Sequence, residues 1–140
     1  MAWNWTALQG ALRGNFIPMR GLQSAALKKT QRRDFFDLAI GNVPFGGYKV
    51  SDKQFDKYNF LIHDYFFAKT LEQVRPGGVI AYITSKGTMD KASPDVRRYI
   101  AQKAELLGAI RLPNTAFAAN AGTSVTTDIL FCRNGKAQST

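Results

Sequence analysis

The 140-residue chain reads as an α/β domain built on a largely parallel sheet. Three observations predict this. Short apolar runs rich in β-branched and aromatic residues stop abruptly at glycine or polar residues, as buried strands do. Other segments repeat their apolar residues at three- and four-residue spacing, the period of an amphipathic helix. From Asp34 onward the two kinds of segment alternate, the order expected of parallel strands joined by helical crossovers. At 45% hydrophobic and 12% aromatic, the chain can bury a core, which excludes global disorder.

The elements follow in order. Residues 1–33 mix Trp3, Trp5, Gly10, Gly14, Pro18 and Gly21 with basic residues and hold no sustained period. At most a short helix around Leu22 to Lys29 fits there. Phe36 to Ile40 is a buried strand that stops at Gly41. Gly41-Asn42-Val43-Pro44-Phe45-Gly46-Gly47 is a loop rich in turn residues. A helix is expected from near Asp52, with Phe55, Tyr58, Ile62, Tyr65, Phe66 and Leu71 on its apolar face. It ends at Arg75-Pro76-Gly77-Gly78, where proline and glycine cannot continue it.

Val79 to Ile83 is the second strand. Ser93-Pro94 offers an N-cap with proline at the first helical position, opening a second helix that carries Val96, Tyr99 and Ile100. Leu107 to Leu112 and Asp128 to Cys132 are the third and fourth strands. The connection between them, Pro113 to Thr127, has no helical pattern, so the last strand is expected to pair antiparallel. The domain divides into an irregular basic segment (1–33), the α/β unit (34–135) and a tail (136–140).

Charge first suggests a polyanionic partner. The net charge is +9, from 19 Lys and Arg against 10 Asp and Glu. Six basic residues and no acid fall in 1–33, so only +3 belongs to the remainder. The single cysteine, Cys132, excludes an internal disulfide and suits a reducing compartment. One histidine, His63, with one cysteine cannot build a usual zinc site. No apolar run approaches the ~20 residues of a spanning helix, so a cytoplasmic protein without a membrane partner is expected.

The loop after the first strand carries the chemistry. In open α/β sheets, ligands bind beyond the carboxyl ends of the strands. Ile40-Gly41-Asn42-Val43-Pro44-Phe45-Gly46 lies at such an end and resembles the catalytic loop of adenine-specific, amino-group DNA methyltransferases. Their pattern is Asn or Asp, Pro, Pro, then Tyr or Phe, after a strand of the form Phe-Asp-x-x-Ile. The physical logic is plain. An exocyclic amine conjugated to a purine is a poor nucleophile because its lone pair is delocalised. An amide oxygen and a backbone carbonyl that accept its two N–H groups orient it and favour the pyramidal form. A base inside a duplex must first flip out, and an aromatic ring then stacks on it.

The resemblance implies that Asn42 accepts from the amine and the Val43 carbonyl accepts the second hydrogen. Pro44 would hold the turn and Phe45 would stack on the base. The chain departs from the pattern at Val43, where proline is usual. The carbonyl survives that change, at some cost in rigidity.

Two further stretches extend the resemblance to roughly 34–135. Leu71-x-x-x-Arg75-Pro76-Gly77-Gly78-Val79-Ile80-Ala81-Tyr82-Ile83 resembles the helix–Gly-Gly–strand segment that follows this loop in many methyltransferases. Gly108-Ala109-Ile110-Arg111-Leu112-Pro113-x-x-x-Phe117, then Gly122-Thr123 through Phe131, resembles the last two strands of restriction-modification adenine methyltransferases. The nearest subgroup is the one associated with large helicase-like proteins of plasmids and phages. The fold implied is the downstream half of a Rossmann-like methyltransferase sheet. Lys86, Arg111, Pro113 and Phe117 are the implied substrate- or DNA-binding residues.

The activity implied is methyl transfer from S-adenosylmethionine to the adenine exocyclic amine of DNA. Two rivals stand beside it. One is a glutamine-directed protein methyltransferase, which uses a similar loop; the other is a catalytically dead module that binds DNA or a partner. The cofactor half is not evident. No acid precedes Asp34, so the usual ribose ligand is absent, and Gly14-Asn15-Phe16-Ile17 only faintly resembles the tail of a Gly-x-Gly turn. Two explanations follow: a truncated or frameshifted remnant, or a separate polypeptide that supplies that half. His63 and Asp64 read as a polar pair on a helix surface. Lys86, Lys91, Arg97 and Arg98 could equally line a DNA-facing rim or a solvated face.

Overall fold

The computed structural model describes residues 33–44, 46–116 and 126–135, and the backbone of 16–18. Among the described residues five strands form one sheet: β1 (Phe16–Pro18), β2 (Phe36–Asn42), β3 (Val74–Ser85), β4 (Ala104–Leu112) and β5 (Thr127–Asn134). Three helices accompany them: α1 (Ile62–Gln73), the single turn α2 (Gly87–Asp90) and α3 (Asp95–Lys103). The strand order is β1-β2-β3-β5-β4. β1, β2 and β3 run parallel, and β5 is inserted antiparallel between β3 and β4. The last strand therefore pairs as the lack of a helical sequence pattern before it predicts. β1 has no counterpart in the sequence reading; a three-residue strand is too short to declare a period.

The helix expected from Asp52 starts ten residues later, at Ile62. Asp52 is the reason. Its carboxylate accepts the Gln54 N–H (3.1 Å), and its own N–H donates to the Asp56 carboxylate (2.8 Å). Such short-range side-chain bonds compete with helical ones. A 3₁₀ turn at Asp56–Tyr58 follows and closes at Asn59, left-handed at φ 59°. Tyr65 Oη (3.0 Å) and Lys69 Nζ (3.2 Å) also donate to Asp52. Burial pushes the Asp52 carboxyl up, but these hydrogen bonds outweigh it and hold the group below its ordinary range.

α1 is buried nearly all round, and its buried residues include the polar His63, Asp64, Thr70 and Gln73 beside the apolar ones. Ile62, Phe66, Phe67 and Leu71 join Ile80 and Tyr82 of β3 and Leu130 and Cys132 of β5 in one core. Thr70 Oγ1 and the Tyr82 hydroxyl share a buried hydrogen bond of 2.6 Å. Burial also raises the Cys132 thiol to about 11, so it is an inert core residue, as read from its place at a strand end. The last carbonyls of α1 need donors, because no further turn serves them. Buried Asn134 donates its Nδ2 to Leu71 O (3.1 Å) and, just past the helix, to Val74 O (2.7 Å). The Asp34 and Phe35 N–H groups donate to Glu72 O (3.1 Å) and Gln73 O (2.9 Å). The second helix begins one residue beyond the expected start, with Pro94 at the cap position and Ser93 Oγ accepting the Asp95 N–H at 3.3 Å.

β3 begins at Val74, earlier than the expected Val79. Val74 pairs with Phe36 and Val79 with Leu38, so Arg75–Gly78 bulges out opposite the single residue Asp37. Arg75 Nε ties the bulge to the Asp37 carboxylate at 2.5 Å. Gly77 is left-handed, at φ 81°. A Cβ on Gly78 would meet Val74 Cγ1 at 2.4 Å and the carbonyl oxygens of Arg75 and Asp37 at 3.0 Å. Glycine is thus required twice, once for conformation and once for space.

Urea unfolding of the chain tests this. Gly78→Ala should cost about 1–3 kcal/mol through overpacking against two strands. Gly77→Ala should cost about 1–2 kcal/mol through its left-handed backbone. Exposed Gly47, with nothing within 4 Å of an added Cβ, is the control and should change by less than about 0.5 kcal/mol on substitution by alanine. Equal costs at all three positions would refute the argument.

Candidate functional site

The carboxyl ends of β2, β3 and β4 meet the start of β5 at one end of the sheet. Asn42 is in register with Ile83, and the row Ser85–Thr127–Leu112 lies just beyond it. Asn42 is exposed, Val43 is 1% exposed and Pro44 is half-buried. The Val43 N–H donates to Ile83 O at 3.0 Å. A proline at this position could not make that bond. The valine recovers, by a hydrogen bond and a buried β-branched side chain, the rigidity its loss of a ring gives up. Phe45 and Phe117 lie outside the described residues.

Beyond β3 the chain turns through Lys86 into α2 and on to Lys91. Ser85 Oγ accepts the Gly87 N–H at 3.2 Å, and the buried hydroxyls of Thr84 and Thr88 bond each other at 2.9 Å. Lys86 is exposed on this turn, and its N–H donates to Thr126 O at 3.2 Å. Pro113 is exposed just past the end of β4. Asn42, Val43, Pro44, Lys86, Arg111 and Pro113 therefore all belong to this end of the sheet.

Arg111 is engaged within the protein. Its guanidinium forks onto buried Asp128 (2.9 and 3.1 Å) and also reaches Asp90 (2.9 Å). Asp90 is exposed; the hydrogen bond from Arg111 outweighs a small desolvation effect and lowers its pKa. Two other basic residues of the expected rim also turn inward. Lys91 Nζ donates to Asp64 at 2.7 Å, and Arg97 Nη1 donates to Met89 O (3.0 Å) and Lys91 O (2.6 Å). Arg98 remains exposed.

The reading of His63 and Asp64 as a surface pair is corrected: they are 4% and 1% exposed. A clue was available. They sit in Phe60-Leu61-Ile62-His63-Asp64-Tyr65-Phe66-Phe67-Ala68, a run whose other residues are all apolar or aromatic, and such a run favours burial. His63 Nε2 is 3.5 Å from Asp64 Oδ1, and neither ring nitrogen has a hydrogen-bond partner among the described residues. Burial lowers the His63 pKa; Lys91 adds to this, and Asp64 opposes it. Among the described residues no group of three or more His, Cys, Asp or Glu could hold a metal ion, and no helix is long and apolar enough to cross a membrane.

Comparison with known proteins follows from this geometry. A family model described as N-6 DNA methylase matches residues 16–140, starting well before the resemblance legible in the sequence. The chain is 36% identical over 109 residues to the Defense against restriction protein B of Escherichia phage P1. That match covers 75% of this chain and only 5% of the phage protein. Among solved structures, the type I restriction enzyme EcoKI M protein is similar with a TM-score of 0.56 and 23% identity, over 73% of this chain and 21% of that one. A Listeria monocytogenes protein described as a class I S-adenosylmethionine-dependent methyltransferase is similar with a TM-score of 0.59 and 19% identity, over 82% of this chain and 36% of that one. At these identities the structural likeness shows a shared Rossmann-like methyltransferase fold.

His63, the single histidine, makes the acid response specific. Its pKa in the fold lies below the 6.5 of the free side chain. The unfolded chain therefore takes up a proton first, and stability is lost as pH falls below about 6.5 toward the folded value. Urea midpoints measured between pH 7.5 and 5.5 should fall, and His63→Gln should flatten that fall. An unchanged slope in the variant would refute the assignment.

Proposed function

Because the chain belongs to the N-6 DNA methylase family, we propose that it supplies the amine-holding half of an adenine-specific DNA methyltransferase. The observation that carries this reading is exposed Asn42 at the carboxyl end of β2, backed by the buried and hydrogen-bonded Val43. The Asn42 side-chain oxygen accepts one N–H of the adenine amine, and the Val43 carbonyl accepts the other. Two acceptors on one amine oppose conjugation of its lone pair with the ring and aim that pair along the line of attack. Pro44 limits the loop's freedom, and Phe45 stacks on the flipped base. Lys86 and Pro113 border the same space and contact the DNA around it, and Phe117 joins them by the sequence resemblance.

S-adenosylmethionine supplies an activated methyl group when bound. The residues that follow β1 do not fit it. Residues 19–32 contain one glycine and no acid, where the fold calls for a glycine-rich turn and then a carboxylate for the ribose hydroxyls. We assign the cofactor contacts to another stretch of polypeptide, in a longer protein or a separate subunit. The chain's small share of its relatives' lengths supports this. A partner of the helicase-like kind belongs to the same proposal.

The poor fit to the cofactor also favours a second reading, a methyltransferase-like module that binds DNA or a partner without catalysis. Protection from restriction, named for the phage relative, is compatible with either.

Labelled-donor transfer separates these readings. The chain, with whatever co-purifies with it, should methylate adenine in DNA and leave glutamine-containing peptides unlabelled. Asn42→Ala should lower the rate about 100-fold or more, as loss of a transition-state hydrogen bond does. Full activity in Asn42→Ala would refute the assignment, and no transfer by the unaltered assembly would favour the non-catalytic module. Equilibrium dialysis should find little or no S-adenosylmethionine bound to the chain alone; tight binding would refute the division of the site.

A further inference from the structure

We propose that buried Asp64, with His63 and Lys91, clamps the Ser85–Lys91 turn in place as a second wall of the amine pocket. Asp64 and Lys91 would then be positioning residues for methyl transfer. The pocket itself rests on the adenine-methylation reading; the clamp does not.

The turn starts two residues beyond Ile83, the register partner of Asn42, so it borders the Asn42 loop directly. Its internal bonds are few. Met89 and Asp90 N–H groups donate to Lys86 O (3.0 and 2.9 Å), and the Lys91 N–H donates to Gly87 O (3.1 Å). A single helical turn of this length does not hold itself in water. The turn is instead fastened from outside on several sides. Arg97 grips the carbonyls of Met89 and Lys91, Arg111 holds Asp90, and Lys91 reaches down to Asp64.

The last tie differs from the others in burial. The Asp64 side chain is 0% exposed, whereas Asp90 is 46% exposed and Arg111 50%. A carboxylate taken fully out of water is costly unless paired, and Lys91 is the cation that pairs it. Losing the pair would leave an uncompensated buried charge, so the turn cannot lift without an energetic penalty. His63 completes the floor. Its Nε2 faces Asp64, and a Cβ on Gly87 would come within 3.9 Å of that nitrogen and 3.5 Å of Ser85 Oγ. The ring therefore lies directly beneath the bend where the turn leaves β3. A neutral ring there fills space without competing with Lys91 for the carboxylate.

Hydrogen exchange on the 140-residue chain tests the clamp independently of catalysis. Asp64→Asn and Lys91→Met should each speed exchange of the Met89, Asp90 and Lys91 amides about tenfold or more, as local opening does. Exchange at Tyr82 and Leu130, in the sheet, should stay within about twofold. Lys91→Arg keeps the charge and should keep the slow exchange. Unmoved turn amides, or sheet amides that speed up as much as the turn, would overturn the clamp. In the methylating assembly the same two variants should raise the KM for adenine DNA and leave that for S-adenosylmethionine unchanged. Equal effects on both would overturn the positioning role. If the unaltered assembly transfers no methyl group, the functional reading fails while the exchange result still decides the clamp.

Discussion

The register between β2 and β3 places Asn42 opposite Ile83, and the geometry of the whole site end depends on that pairing. Side chains alternate across a strand, so a slip of one residue would exchange the two faces of β2. Asn42 would turn inward, Val43 would leave the core, and the bond from Val43 to Ile83 could not form. The bulge at Arg75–Gly78 opposes such a slip from the far end of the pair. Val74 is held to Phe36 on one side of it and Val79 to Leu38 on the other, with Arg75 fastened to Asp37 between them. A glycine that a larger residue would crowd, near the start of β3, thus bears on where an asparagine sits at the end of β2.

Around this register the charged residues form an internal frame. Asp128 enters β5 buried, and Arg111 on the neighbouring strand covers it and extends to Asp90. One guanidinium thereby joins the antiparallel β4–β5 pair to the turn after β3. Arginine suits this role because its planar fork can meet two carboxylates at once. Arg97 acts on backbone carbonyls, and Asn134 does the same at the opposite end of the core, where α1 gives way to β3. Each places a polar group where an unpaired backbone atom would otherwise be costly to bury.

Much of this fold is legible in the sequence, for identifiable reasons. Phe36 to Ile40 and Val79 to Ile83 announce strands because both are apolar runs at the centre of the sheet, with Ala39, Ile80 and Tyr82 fully buried. The lack of a helical sequence pattern after Leu112 signals the antiparallel return of β5. The loop at Asn42 stands out through its residue types and its place after a strand. Other features are hidden because they arise from tertiary contact. Asp52 looks like an ordinary helix start until its carboxylate is seen collecting Gln54, Tyr65 and Lys69. Lys91, Arg97 and Arg111 look like surface cations because their partners, Asp64, the turn carbonyls and Asp128, are distant in sequence or lie on the backbone. β1 is too short to show a pattern, and its neighbour in the sheet, not its own residues, makes it a strand.

The inward commitment of these cations changes what the net charge means. A guanidinium or ammonium group already paired with a carboxylate is largely neutralised, so it displaces few of the cations condensed on a nucleic-acid backbone. Association with a polyanion draws much of its free energy, and nearly all its sensitivity to salt, from the release of small ions at each newly neutralised charge. With Lys91 and Arg111 paired to carboxylates, this end of the sheet offers less such release, and exposed Lys86 is a cation still available for it. On the proposed function, a nucleic acid held there would depend more on shape and directed hydrogen bonds, with ionic strength acting through Lys86 and through contacts made elsewhere.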